Sequence, residues 1–160
     1  GSIAKLMLSV NKAGNWSLAK PVSLKAGPER IDLSRLCLLR GGKSGAASLC
    51  GKLRWRPDSG SIDASLKGLP LAALKPVLGD SIEQVSGKVN GDLQVNLAAM
   101  PTGHAKLTIT PGELSIHLDR YRQLKIAHHG GNLDARLERK QLQAQWRLKV
   151  GEHSAEGDLS

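Results

Sequence analysis

Three groups of residues in this chain have types and spacings that chemistry uses. Val77-Leu-Gly-Asp-Ser-Ile82 carries a Gly-Asp-Ser triplet like the nucleophile motif of serine esterases. That chemistry also needs an aspartate three residues before a histidine to orient the base, and no aspartate here holds that position. The competing reading is a helix C-terminus with Gly79 as its cap. The histidines, His104, His117, His128, His129 and His153, are scattered, and no Cys/His spacing matches a zinc site. The numbers of Cys37 and Cys50 sum to the same value as those of Lys43 and Ser44. If Lys43-Ser44 is a two-residue hairpin loop, the two cysteines stand directly opposite, with Cα atoms about 4.5 Å apart, and a disulfide can form. An oxidising compartment follows from that pairing. The expectation is a protein with no catalytic residue, no metal site and no cofactor.

The elements that carry these residues read as strands. From 85 to 97 the odd positions are Val85, Gly87, Val89, Gly91, Leu93, Val95 and Leu97, and every even position is polar. Such period-2 alternation marks a half-buried strand. Residues 49 to 56 repeat it with Leu49, Gly51, Leu53 and Trp55, and residues 142 to 150 with Leu142, Ala144, Trp146, Leu148 and Val150. Weaker versions run through 6–10, 16–24, 31–39, 62–68, 105–109, 112–118, 131–137 and 155–159, so about ten strands are expected. Pro70-Leu-Ala-Ala-Leu-Lys75 is the one short helix, opened by its proline and stopped ahead of Pro76. Gly41–Gly45, Pro57–Gly60 and His129-Gly130-Gly131 read as turns, which makes the sheet mainly antiparallel hairpins.

A Gly-x-Leu triplet recurs at Gly51, Gly91, Gly112, Gly131 and Gly157. Two residues apart on a strand means the same side, so each glycine shares a face with large apolar residues. Glycine inside a strand marks a bend, a bulge or a close approach to the backbone, which suits a sheet curled over its apolar face. One short helix cannot cover about ten strands. Either the sheet folds onto itself as a sandwich or barrel, or it forms a trough whose apolar floor is partly open. The shortage of covering elements favours the trough, and a large exposed apolar surface marks a binding site.

Composition narrows the class. The chain has 160 residues, one domain's worth, and no apolar run approaches the roughly 20 residues of a membrane-spanning helix. It opens on Gly1-Ser2, which reads as a cloning remnant on a piece of a longer protein. Net charge is +9, yet Trp16, Trp55, Trp146 and Tyr121 are the whole aromatic inventory. That is too few for the stacking platforms of single-strand nucleic-acid or sugar binders, so nucleic acid is not an expected partner. The cations Lys52, Arg54, Arg56, Arg147 and Lys149 alternate with apolar neighbours and read as a solvated outer face.

The order of elements from 37 to 116 carries a resemblance. "LCLLRGGKSGAASLCGKLRWRPDSG", then "LPLAALKPVLG", then "VSGKVNGDLQVNL" and "GHAKLTITPGEL" resemble the TamB family of Gram-negative periplasmic proteins, which belong with the AsmA-like bridge proteins, and the style is that of a TamB C-terminal-type β domain. The resemblance implies a mainly β fold, a strongly curved antiparallel sheet with a taco-like groove, in a parent anchored in the inner membrane. It implies phospholipid as cargo, an outer-membrane barrel protein of the TamA or Omp85 type as partner, and neighbouring repeats of the same parent chain alongside. On this reading the groove lining is Leu49, Leu53 and Trp55; Val85, Val89, Leu93, Val95 and Leu97; Leu107, Ile109, Leu114 and Ile116; Leu133 and Leu137; and Leu142, Trp146 and Leu148. The alternative function is a chaperone or assembly module for outer-membrane proteins that adds client strands to its edges.

Overall fold

Residues 1–10, 14–41, 46–75, 82–119 and 122–159 are described by a computed structural model of the chain. Their alternating stretches form β1 (Ser2–Ile3), β2 (Met7–Val10), β3 (Gly14–Leu18), β4 (Val22–Gly27), β5 (Arg30–Arg40), β6 (Ala47–Arg56) and β7 (Ser59–Pro70). After a 3-10 turn at Leu71–Leu74 come β8 (Ile82–Val85), β9 (Lys88–Leu97), β10 (Thr102–Ile109), β11 (Gly112–Asp119), β12 (Arg122–Glu138), β13 (Gln141–Val150) and β14 (His153–Leu159). They belong to one sheet that does not close, and every pairing among the described residues is antiparallel. The mainly β expectation therefore holds, with helix among the described residues confined to one turn.

The strands run as a meander. β12 is long enough to pair with β10 along Gly131–Leu137 and with β11 along Arg122–His128, and β8 and β9 lie beside β11 and β10 in turn. Packing between elements is, among the described residues, chiefly between ladder neighbours, with the 3-10 turn against β7 and β8. No second layer of described residues covers the sheet, which speaks against the sandwich. Among the described residues the buried apolar side chains are Val22, Leu38, Ala47, Leu71, Ala73 and Val89, too few and too dispersed for a closed core.

Four local expectations need correction. The run from 85 to 97 is two strands, because Gly87 takes φ +113° and interrupts the ladder between Val85 and Lys88. The run from 16 to 24 also divides, at Ala19–Pro21, where proline withholds a ladder donor. His129-Gly130-Gly131 is not a turn: it lies inside β12 as a bulge, with Gly130 at φ +87°. The reversal that follows falls at Arg139 and Lys140, whose φ values of 49° and 66° are those of a two-residue hairpin turn of type I′. The helix expected over Pro70–Lys75 shrinks to one 3-10 turn, since Pro70 is extended (φ −61°, ψ 133°) and so short a segment cannot sustain an α-helix alone. Two of these interruptions, together with β1, which no alternation announces, account for the fourteen strands among the described residues where about ten were expected. The Gly-Asp-Ser triplet and the Lys43-Ser44 loop lie outside the described residues.

Candidate functional face of the sheet

Ladder registers decide which side chains share a face, because directly opposed residues point the same way. One row across the strands reads Leu53, Ile62, Val95, Gly103, Leu137, Leu142. The next reads Gly51, Ala64, Leu93, Ala105, Ala135, Ala144, Leu159, and the one beyond it Leu49, Leu66, Gly91, Leu107, Leu133, Trp146, Gly157. A fourth runs Val89, Ile109, Gly131, Leu148, Ala155. Trp55 and Leu97 flank Gly60 at the opposite margin.

The bulge in β12 carries this face into the β8–β11 extension. By its register His128 stands opposite Val150, on the side of Leu148, so Ile126 and Leu124 follow on that side. Leu114 opposes Ile126 and Val85, and Ile116 opposes Leu124. Every residue expected to line a groove therefore lies on one continuous face. Ile62 and Leu66 lie there too, although the weak alternation of 62–68 did not single them out.

The face is uncovered. Leu93 is 38% exposed, Trp146 44%, Leu142 52% and Leu159 65%. Its glycines have a specific neighbour role. A Cβ on Gly91 would lie 2.5 Å from Leu107 Cδ2 and one on Gly157 2.7 Å from Trp146 Nε1, whereas one on Gly60 would meet the Arg54 carbonyl first, at 2.9 Å, and Leu97 Cβ at 3.3 Å. Gly91 and Gly157 are each a socket for the large side chain across the ladder. Gly51 differs, since nothing comes closer than 3.4 Å to its Cβ position. Glycine was expected for curvature; the closer cause at Gly91 and Gly157 is interdigitation across strands, and at Gly60 the close approach of a backbone carbonyl.

The opposite face is polar and carries most of the charges; Arg40, opposite Ala47, is buried on the apolar side. Lys52 Nζ lies 3.3 Å from Asp63 directly across the ladder, and Arg147 donates to Glu156 at 3.0 Å. Hydrogen bonds from Arg56 and from Arg30 hold the Asp32 carboxyl below the usual aspartate range. Asp134 is lowered in the same way, chiefly by its hydrogen bond to His104 at 3.1 Å. The solvated outer face expected from Lys52, Arg54 and Arg147 is present, with ion pairs across it.

Cys37 and Cys50 are joined by a disulfide on this polar face, with Cα atoms 4.1 Å apart. The Cys37 carbonyl accepts from Ala19 on its other side, so the cysteines form the close, non-hydrogen-bonded kind of pair. Ile31 and Leu33 share the parity of Cys37 but not its face. A bulge between Leu33 and Leu36 switches sides, placing Leu33 opposite Leu53 and Leu36 opposite Gly51.

A histidine of the apolar face also escaped sequence reasoning. His128 is buried, with its ring between Gly87 and Gly112, and its Nε2 donates to the Ser86 carbonyl at 3.0 Å. No periodic signal could find it, because its side is decided by the bulge beside it. Among the described residues no cluster of His, Cys, Asp or Glu could hold a metal, and no helix is long and apolar enough to cross a membrane.

An open antiparallel sheet with one continuous apolar face matches the architecture that the sequence order implied, and the family comparison agrees. The model of the TamB N-terminal domain matches residues 1–159. The chain belongs to the TamB family. Its place within the family moves from the C-terminal-type domain expected from style to the N-terminal domain. Gly-x-Leu strands are too low in complexity to separate two regions of one TamB protein. No curated protein and no solved structure matches the chain.

Proposed function

We propose that this TamB domain is a segment of a periplasmic lipid conduit that carries phospholipid acyl chains along its apolar face between the inner and outer membranes, without catalysing a reaction. The observation that supports it is the uncovered face itself, continuous from β5 to β14 with Leu93, Leu142 and Trp146 open to solvent. The path β1-β4-β5-β6-β7-β9-β10-β12, extended by β13 and β14, sets ten strands abreast. At about 4.8 Å per strand they make a floor about 45 Å long, perpendicular to the strands. Headgroups stay in water while chains lie on the floor.

Magnitudes favour sliding over tight capture. A buried methylene gains about 0.8 kcal/mol, and a chain leaving a bilayer loses that amount for each methylene left in water. An open floor covers a chain on one side only, so one chain alone recovers part of the loss. Several chains filling the trough together cover one another and bring the exchange near neutral. Membership in the TamB family supports the setting: an inner-membrane anchor in the parent, a TamA-type barrel at the outer membrane, and adjoining segments of the parent prolonging the floor.

Native mass spectrometry of the purified chain tests the reading. Phospholipid should co-purify with the wild type and be lost from Leu93→Arg and Leu107→Arg while both variants melt cooperatively. Folded variants that retain lipid would overturn it. The second reading, assembly of client proteins by strand addition, draws on β14, which pairs with β13 alone. Blocking that edge should then abolish client assembly and leave lipid uptake intact.

A further inference from the structure

Ala72 of the 3-10 turn, Lys75 just after it, and residues of β8 and β11 line a cavity of about 310 Å³ at the β8 end of the sheet. Its polar wall includes Glu113 and Ser115, two residues apart on β11, with Gln84 opposite Ser115 on β8. Val85, which opposes Leu114 on the apolar side, also lines it, so the cavity straddles the margin between the two faces of the sheet. Lys75 closes it from beyond the 3-10 turn, its Nζ donating to the Glu83 carbonyl at 2.7 Å.

Ser115 is the observation that points to a ligand. It is 1% exposed, and its Oγ has no hydrogen-bond partner. A buried hydroxyl left unmatched opposes folding, and native structures rarely keep one without a use. The surrounding charges are mixed: the carboxylates of Glu113 and Glu83 stand with the ammonium of Lys75. A simple anion meets the carboxylates and a simple cation meets the ammonium, so a molecule with both charges fits best.

We propose that this cavity takes a zwitterionic aminoalkyl phosphate, the chemistry of a phosphatidylethanolamine headgroup. Its ammonium sits between the Glu113 carboxylate and the Ser115 hydroxyl, and its phosphate sits on Lys75. Free phosphoethanolamine and the lipid headgroup share this chemistry. The lipid source rests on the conduit reading, with acyl chains on the apolar side of the β8 margin and the headgroup hooked over it.

Titrations of the 160-residue chain with dihexanoyl phosphatidylethanolamine, dihexanoyl phosphatidylglycerol and free phosphoethanolamine, followed by amide NMR shifts, test it. The ethanolamine lipid should bind about tenfold tighter than the glycerol lipid, the size of one charged hydrogen bond. Ser115→Ala and Glu113→Gln should each erase that preference and leave the glycerol lipid unchanged. Ser115→Ala removes an unmatched hydroxyl and so keeps the fold. Equal binding of both lipids, unaltered by either variant, overturns the headgroup site and leaves the conduit standing. Phosphoethanolamine shifts at Glu113 and Ser115 with no lipid bound uphold the site and overturn the conduit. Absence of all binding overturns both.

Discussion

Leu107 on β10 places its Cδ2 2.5 Å from where a Cβ on Gly91 of β9 would stand, and the two residues are directly opposed in the ladder. A side chain at 91 must displace Leu107 and crowd the Lys106 carbonyl, 3.3 Å away. Gly91→Val should therefore lower stability by about 1–3 kcal/mol, the usual cost of overpacking. Gly51 makes the control, because its Cβ position meets nothing closer than 3.4 Å. Gly51→Ala should be neutral or raise stability by about 0.4–1 kcal/mol, since alanine restricts the unfolded chain. Urea melts of the two variants check the contrast; equal effects would mean that glycines serve the whole sheet and not particular neighbours.

Leu93 is 38% exposed with small residues beside it, Ala64 on one neighbouring strand and Ala105 on the other. An arginine there reaches water along the open face. Leu93→Arg should cost about 1 kcal/mol or less, whereas a charge in a closed core costs several. Circular dichroism melts distinguish these outcomes directly, and wholesale unfolding would show the face to be covered in solution.

The Cys37–Cys50 disulfide spans 13 positions of sequence. Closing a loop of that size restricts the unfolded chain by about 3 kcal/mol. Cys37→Ser with Cys50→Ser should lower stability by about 2–3 kcal/mol and leave the β5–β6 register intact. Mass analysis under non-reducing conditions should find no free thiol, and a fully reduced protein from an oxidising compartment would contradict the pairing.

Asp32 titrates below its ordinary value of 3.8, first through the hydrogen bond from Arg56 and next through that from Arg30. A carboxyl depressed in the folded state contributes stability that is present above the unfolded value and lost as pH falls through the folded one. Acid should therefore weaken the contacts among these three residues only below about pH 3.8. Arg56→Ala should return the Asp32 carboxyl toward 3.8 in an NMR titration, and an unmoved titration would remove Arg56 as the leading cause.

Much of the floor was legible from residue type alone. Leu49, Leu53 and Trp55 read as one side of a strand, as did Leu142, Trp146 and Leu148, because side-chain direction repeats every two residues whatever the partner strand. Cys37 and Cys50 could be paired by arithmetic because β5 and β6 are consecutive antiparallel strands, along which the numbers of opposed residues keep a constant sum. The bulges were legible at one place only, and there as one of two alternatives. Sequence parity puts Ile31 and Leu33 with Cys37, which requires either a bulge between them or two apolar faces, and the register shows the bulge; elsewhere the same reading makes 85–97 one strand and His129-Gly130-Gly131 a turn. A bulge is set by the neighbouring ladder, and a single extra residue reverses every side beyond it.

The sequence by itself determined a mainly β chain with one apolar and one polar side, since alternation is a local property that each strand carries alone. Only the tertiary structure decided that Leu107 meets Gly91, that Trp146 lies over Gly157, and that no second layer of described residues covers the row from Leu53 to Leu142. Those relations depend on which strands become neighbours and in what register. Register is settled by the side chains of both strands together and is absent from either one read alone.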